Sequence, residues 1–398
     1  MPDYDVIIIG GGMVGGCLAL ALSQSSRRVA IVEAAPFAEH ASKDASKRAI
    51  ALSWGSRGLL EQLDLWAVLS EAAMPIRQIH VSDKGHFGKM RLSAETQQVE
   101  ALGYVVEASQ IEAAVADRLA KADVDLLCPA QLLDYRVTEG RAVVSVQVDG
   151  IEKSLSCSLL VGADGGLSKV RQLGGFELRE HAYQQRAITG LLKVESSYRD
   201  VAFERFTAEG PIAMLPHFDD LYSLVWTLPS ELAEQLIKQP KDELTARLQL
   251  QFGQWLGALS LVGDCQSFAL NLAYAPTTVA DRVVLIGNAA HQLHPVAGQG
   301  FNLGLRDAVG LADVLMTTNS DAGEAASLQV YAKRRKLDQG MITGFTDQVV
   351  KLFSNDSAAL SLIRNNGLLL LDKVPAFKNQ FARQTMGLAT RLARLKAN

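Results

Sequence analysis

The residues able to do chemistry in this sequence gather in a few glycine-rich segments, each beside an apolar run. Gly10-Gly-Gly-Met-Val-Gly15 has the spacing G-x-G-x-x-G, between the β-branched run Val6-Ile-Ile-Ile9 and the helix-like segment from Cys17 to Ser23. In that setting Gly10 permits a tight turn and Gly12 lets a pyrophosphate approach the backbone. Gly15 lets helix and strand pack closely. A second strand-like run, Val29-Ala-Ile-Val32, ends at Glu33, where a carboxylate accepts both ribose hydroxyls and repels a 2′-phosphate. An ADP-containing dinucleotide fits these residues, and they leave FAD and NAD equally open. Near the other end of the chain, Gly298 and Gly300 flank Gln299 just before an apolar-periodic, helix-like segment. Without Cβ atoms the backbone there can approach a flat ligand, and its N–H groups with the helix dipole can face negative charge.

Other chemistries find no support. There is no serine-histidine-acid signature and no pair of carboxylates placed for proton transfer. Cys17, Cys128, Cys157 and Cys265 are scattered, which argues against a disulfide framework or a zinc site and for a reducing compartment. His80 and His86 have no acid or thiol at metal spacing, so they read as sheet-surface side chains and no metal is expected. A bound cofactor would therefore carry the reaction, with the protein supplying position and electrostatics. One dinucleotide motif without a second, and without a Cys pair, favours a single-domain flavoprotein over a disulfide reductase.

The elements that must position these residues read as a discontinuous α/β domain. The 398 residues carry a net charge of −4 and are 48% hydrophobic, which suits a globular enzyme and gives no nucleic-acid signature. Residues 1–75, 100–180 and 273–340 read as a Rossmann-like dinucleotide domain, with strands at Val6–Ile9, Val29–Val32, Leu159–Gly162 and Val283–Ile286. Residues 76–99 and 181–272 alternate apolar and polar positions and read as an inserted antiparallel sheet, with a hairpin at 79–88. Arg48 to about Leu69 reads as helical, Ser109 with Glu112 as a capping box, and Leu132 to Val148 as a meander. The C-terminal region, 341–398, reads as helical. From Lys373 it carries six basic residues, Lys373, Lys378, Arg383, Arg391, Arg394 and Lys396, and no acids. Such a tail docks on an anionic membrane or a partner subunit, or is a solvated helix on its own protein; both readings stay open. No signal peptide or apolar run of transmembrane length is read, so a cytoplasmic protein is expected, peripheral to the membrane's inner face if the tail docks there.

Several segments resemble the single-component FAD-dependent aromatic hydroxylases, whose fold is that of para-hydroxybenzoate hydroxylase. Within them the chain is most similar to the ubiquinone-biosynthesis hydroxylases that act on 2-polyprenyl-6-methoxyphenol. The resemblance lies in Gly287-Asn-Ala-Ala, Gly298-Gln-Gly-Phe-Asn-Leu-Gly-Leu-Arg-Asp307, Ile79-His-Val-Ser-Asp-Lys-Gly-His-Phe-Gly88, Phe203-Glu-Arg-Phe-Thr and Gly210-Pro-Ile-Ala-Met-Leu-Pro216. It implies that Gly287, Asn288, Gly298, Gly300, Phe301 and Asn302 hold FAD together with Gly10, Gly12, Gly15 and Glu33. Asn288 stands where the family has an aspartate on the flavin ribitol; an amide still hydrogen-bonds a hydroxyl. The family's Arg-x-x-Ala-Leu arginine would be Arg48, on the ribose-phosphate, or else a surface charge. Gln110 would touch the pyrophosphate, or else be a helix-surface amide. Asp164, with Arg171, would serve FAD and the incoming pyridine nucleotide.

By the same resemblance NAD(P)H reduces the flavin, O2 adds at its C4a position, and an electron-rich phenol is hydroxylated. Pro295, Gly298, Gln299 and Gly300 are then the catalytic residues, their backbone stabilising the anionic reduced flavin and keeping the site dry. A hydroxylase of soluble aromatics, a related alkene reductase and a non-catalytic scaffold of a quinone-making complex remain alternatives. The oligomeric state, the ring position and the choice of NADH or NADPH are left open.

Overall fold

The computed structural model describes residues 1–36, 48–196, 198–293, 298–318, 320–353, 358–389 and 395, with side chains at 343 and 345–363 left aside. Its centre is a parallel sheet in the order Asp125–Leu127, Val29–Val32, Tyr4–Ile9, Ile151–Gly162 and Val283–Leu285. Val6–Ile9, Val29–Val32, Leu159–Val161 and Val283–Leu285 are apolar without alternation because both faces are covered there. Val6, Ile8, Ile31, Val161 and Val284 share one core with the helix Met13–Leu22 and the long helix Gln299–Thr317, while Ile7, Val32, Leu160 and Leu285 face a second core with the strands Ala130–Thr138 and Arg141–Val148.

A second, eight-stranded sheet runs His291–Gln292, Leu259–Tyr274, Arg179–Val194, Leu221–Pro229, Ile212–Pro216, Val201–Phe206, Gln78–Asp83 and Lys89–Ser93. The hairpin 78–93 thus joins the insertion in one sheet. The sheet is antiparallel except where Val201–Phe206 lies parallel to Gln78–Asp83. Trp226, Tyr222 and Phe252 fill the core between one face and the helices Ser230–Leu236 and Lys241–Phe252. The other face turns toward the nucleotide domain.

Two local expectations are corrected. Residues after Arg48 form a strand, Ala49–Ser53, before the helix Trp54–Gln62 begins at an Ser53 cap. Ile50 and Leu52 point into the core while Ala49 and Ala51 face a cavity; that period of two hides behind helix-favouring alanines. Ser109 does not cap its helix, which starts one residue earlier at Ala108 and leaves Ser109 inside the first turn.

The chain ends in helices Ala325–Phe353, Ala358–Lys373 and Pro375–Thr385. The second is fastened to the hairpin: Arg364 Nε and Asn365 Nδ2 donate to the buried Asp83 carboxylate at 2.8 and 2.9 Å, and Gly88 N–H donates to Asn365 Oδ1. Within the described residues no helix is long and apolar enough to cross a membrane.

Candidate active site

The parallel strands Tyr4–Ile9, Ile151–Gly162 and Val283–Leu285 each run into a glycine turn at the same carboxyl edge, where open α/β sheets bind ligands. The turns are tightly interlocked. A Cβ on Gly10 (φ +100°) would come within 2.5 Å of the Ala163 carbonyl, and one on Gly15 within 2.0 Å of the Gly10 carbonyl. Glu33 accepts from Gly11 N–H at 2.6 Å and from Ala35 N–H at 2.9 Å, so its carboxylate fixes the first turn from beneath.

At Gly12 and Gly300 the situation is reversed. A Cβ on either would meet nothing within 4 Å, yet both line one large cavity. Gly12 caps the helix Met13–Leu22 and Gly298 (φ +59°) caps Gln299–Thr317, neither with a side-chain cap bond. Two helix N-termini therefore turn backbone N–H groups and their dipoles toward that space. These features fit a dinucleotide whose phosphates meet the first helix and whose flat ring meets the second.

The cavity measures about 880 Å³ and extends from these helix ends to the substrate sheet. Arg48, Asn288, Gly298, Gln299, Gly300, Phe301 and Asn302 line it. Asn302 does more than line it: its amide donates to the carbonyls of Ala51 and Gly298 and accepts from Ser53 N–H, at 2.7–2.9 Å, clasping the strand Ala49–Ser53 to the helix. Gln110 is exposed and is not part of the cavity lining, whereas Glu112 on the same helix is. Asp164 also stands outside the lining. Its carboxylate accepts from Ser168 Oγ and from the N–H groups of Lys169 and Val170, capping the short helix Lys169–Leu173. Arg171 is buried and donates to the carbonyls of Ala289 and Gly166, bracing two glycine loops against each other. Pro295, with His294, lies outside the described residues.

Behind the loop 287–291 sits a charged cluster that the sequence did not announce. The buried Asp307 carboxylate meets His291 Nε2 and accepts from Arg335 Nε at 2.8 Å, Gln339 Nε2 at 2.9 Å and Gly287 N–H at 3.3 Å. Asp338 joins Arg335 and Arg306 beside it. Despite burial, Arg335 and the hydrogen-bonded His291 beside it hold the Asp307 carboxyl far below the usual range. His80, by contrast, packs edge-on against Phe203 and Trp255, and burial lowers its pKa. Among the described residues no group of acids, histidines and cysteines could hold a metal, and no two of the four cysteines are joined in a disulfide.

The far end of the cavity is apolar. Ile79, Val81, Leu215 and Val225 rise from the sheet, and Met90, Leu92, Leu368, Leu371, Phe381 and Met386 continue the lining between the hairpin and the C-terminal helices. Among the described residues of the sheet face, Thr189 and Asn271 add uncharged polar groups to the lining, and Glu204 adds the one charge. It sits on the cavity phase of its strand, between Ala202 and Phe206, where burial pushes its carboxyl up to about 7. An acid on the apolar phase of a strand was visible in Phe203-Glu-Arg-Phe-Thr, but the pattern alone does not say which face meets a cavity.

Comparison with known proteins agrees with this geometry. The FAD binding domain family matches residues 3–343. The chain is 35% identical over 396 residues to ubiquinone hydroxylase UbiL of Rhodospirillum rubrum, covering 96% of this chain and 89% of the relative. It is 32% identical over 392 residues to 3-demethoxyubiquinol 3-hydroxylase of Escherichia coli, covering 96% and 98%. In fold it is similar to p-nitrophenol 4-monooxygenase PnpA of Pseudomonas putida, at TM-score 0.78 and 18% identity over 97% of this chain and 98% of the other. A Klebsiella pneumoniae HpxO variant complexed with FAD superposes at TM-score 0.76 and 18% identity, covering 97% and 99%.

Proposed function

This chain belongs to the FAD-binding monooxygenase family, and we propose that it hydroxylates the aromatic ring of a prenylated phenol in ubiquinone biosynthesis, taking electrons from NAD(P)H. The observation that carries this reading is one cavity with two unlike ends: uncapped helix N-termini at one, and a long apolar wall between sheet and C-terminal helices at the other. At about 880 Å³ it lies near the top of the range of about 300–1,000 Å³ common for small-molecule sites. A ring with a prenyl chain suits that wall better than a charged aromatic acid, because the sheet face there offers few polar partners.

Bound FAD supplies the oxygen-activating redox chemistry. The residues suited to hold it are Gly12 and the first helix for the pyrophosphate, and Asn288, Gly298, Gly300 and Phe301 for the ribitol and ring. Gly10, Gly15, Glu33, Asp164 and Arg171 act through the glycine turns they shape. The N–H groups at the start of Gln299–Thr317 favour negative charge on a ligand there, and the apolar lining excludes water.

The relatives named above act, by their names, on ubiquinone precursors, which supports the pathway. Exposed Leu370 and Phe377, with Lys373 beside them, flank the helices whose Leu371 and Phe381 line the cavity. That supports a peripheral membrane contact through which a lipid-soluble phenol enters. Arg391, Arg394 and Lys396 of the basic tail lie outside the described residues. Mass spectrometry of quinone precursors in cells lacking the protein tests the reading. Accumulated 2-polyprenyl-6-methoxyphenol, or its unmethoxylated relative, is expected, and an unchanged quinone pool would count against it.

A further inference from the structure

Glu204 occupies a position that neither the cofactor nor the fold needs. Its strand neighbours in register are Val81 and Ala213, and Ala202 and Phe206 flank it on the cavity face. No described residue hydrogen-bonds or pairs with its carboxylate, which opens into the cavity. The charged groups around it are accounted for. Asp83, at the end of the neighbouring strand, binds Arg364 of the helix opposite, while Arg48 and Glu112 line the cavity from the nucleotide domain. A lone carboxylate on an apolar wall serves no packing purpose; a hydrophobic residue would fill the position better.

We propose that Glu204 is a catalytic residue, whose carboxylate accepts the proton of the substrate's ring hydroxyl. This rests on the phenol reading above. The O–H bond breaks, a new O–H bond forms on the carboxylate, and the electron pair left on the ring oxygen enriches the ortho and para carbons for attack by electrophilic oxygen. When the ring becomes aromatic again its displaced C–H proton leaves to water, and the Glu204 proton returns to the ring oxygen. NAD(P)H and O2 remain the only reductant and oxidant consumed. An ordinary carboxylate is a poor base toward a phenol, whose pKa is about 10. Burial at this wall narrows that gap by raising the Glu204 pKa to about 7, close to working pH.

The test uses flavin-loaded enzyme with 2-geranyl-6-methoxyphenol and its O-methyl ether as probes. Wild-type kcat/KM for the phenol should rise about tenfold from pH 6 to pH 8, following ionisation of one group near 7. The phenol should bind about tenfold or more tighter than the ether at pH 8, as expected for a hydrogen bond to a charged acceptor. Glu204→Gln, close to isosteric, should keep its flavin, lose kcat by about 100-fold or more, show no such pH rise and bind both probes alike. Glu204→Asp should recover part of the rate and the pH rise. A Gln variant that keeps the wild-type pH profile and preference for the phenol would overturn the assignment and leave the prenylphenol reading standing. So would a wild type that turns over the phenol without either effect, whether or not the variant folds. A wild type that neither binds nor oxidises the phenol would overturn both.

Discussion

Gly300→Ala separates what this fold needs for itself from what it needs for a ligand. Gly300 is the second residue of the helix Gln299–Thr317, and an added Cβ would meet no atom within 4 Å. Alanine in a helix is favoured over glycine by about 0.5–1 kcal/mol, so the flavin-free variant should be at least as stable as wild type. A flavin ring resting on that backbone at an ordinary separation of about 3.5 Å would, however, meet the new methyl group. Overpacking of this kind costs about 1–3 kcal/mol, which is roughly 5–150-fold in flavin affinity. Gly12→Ala should behave in the same way at the pyrophosphate. Gly15→Ala is the contrasting control: its Cβ would lie 2.0 Å from the Gly10 carbonyl, so the strand and helix must separate and the flavin-free protein itself should be destabilised. The assays are thermal unfolding with and without FAD and a flavin-fluorescence titration of the flavin-free proteins. An alanine at Gly300 that keeps wild-type flavin affinity would refute the placement of the ring at that helix.

Three further outcomes follow from the buried polar groups. Asp307→Asn leaves the buried Arg335 without its carboxylate partner at this position and should cost about 3–5 kcal/mol by denaturant unfolding at pH 7. Because the folded pKa of Asp307 is depressed, that contribution is present above its ordinary value of 3.8 and is lost as pH falls below it, so the gap between variant and wild type should close in acid. Glu204 works in the opposite sense. Its pKa rises from 4.5 to about 7 on folding, so wild type should lose stability relative to Glu204→Gln between those values, by about 1–3 kcal/mol, and remain lower above pH 7. Unfolding free energies at pH 4 and pH 8 measure this. Asn302→Leu strands the Ser53 N–H and two carbonyls and should cost about 1–3 kcal/mol or more, with weaker FAD retention as the strand Ala49–Ser53 loosens.

Much of this architecture was legible in the residues, and the reasons are local. Val6–Ile9 into Gly10, and Val283–Ile286 into Gly287, announce buried strands ending in turns because an unbroken apolar run closed by glycine has few other uses. The hairpin at 79–88 and the strands of the insertion showed their period of two. What escaped depended on contacts far apart in sequence. The strand Ala49–Ser53 looked helical until its pairing with Gly103–Glu107 is known. Asp164 and Arg171 resemble ligand-binding residues, yet their side chains are engaged with the backbone 5–118 positions away. The Asp307 cluster draws Arg335, Asp338 and Gln339 from another helix, 28–32 residues on. No spacing rule within one element predicts such pairings. The Glu204 side chain was readable as an acid in an apolar phase, but only the closure of sheet, hairpin and C-terminal helices makes its surroundings a cavity.

The most direct test supplies purified, flavin-loaded protein with 2-geranyl-6-methoxyphenol, NADH or NADPH, and ¹⁸O2, and reads the product by mass spectrometry. A ring-hydroxylated product carrying one ¹⁸O atom is expected, with one pyridine nucleotide oxidised per product formed. Nucleotide oxidation that yields only peroxide, or a product whose new oxygen comes from water, would contradict it.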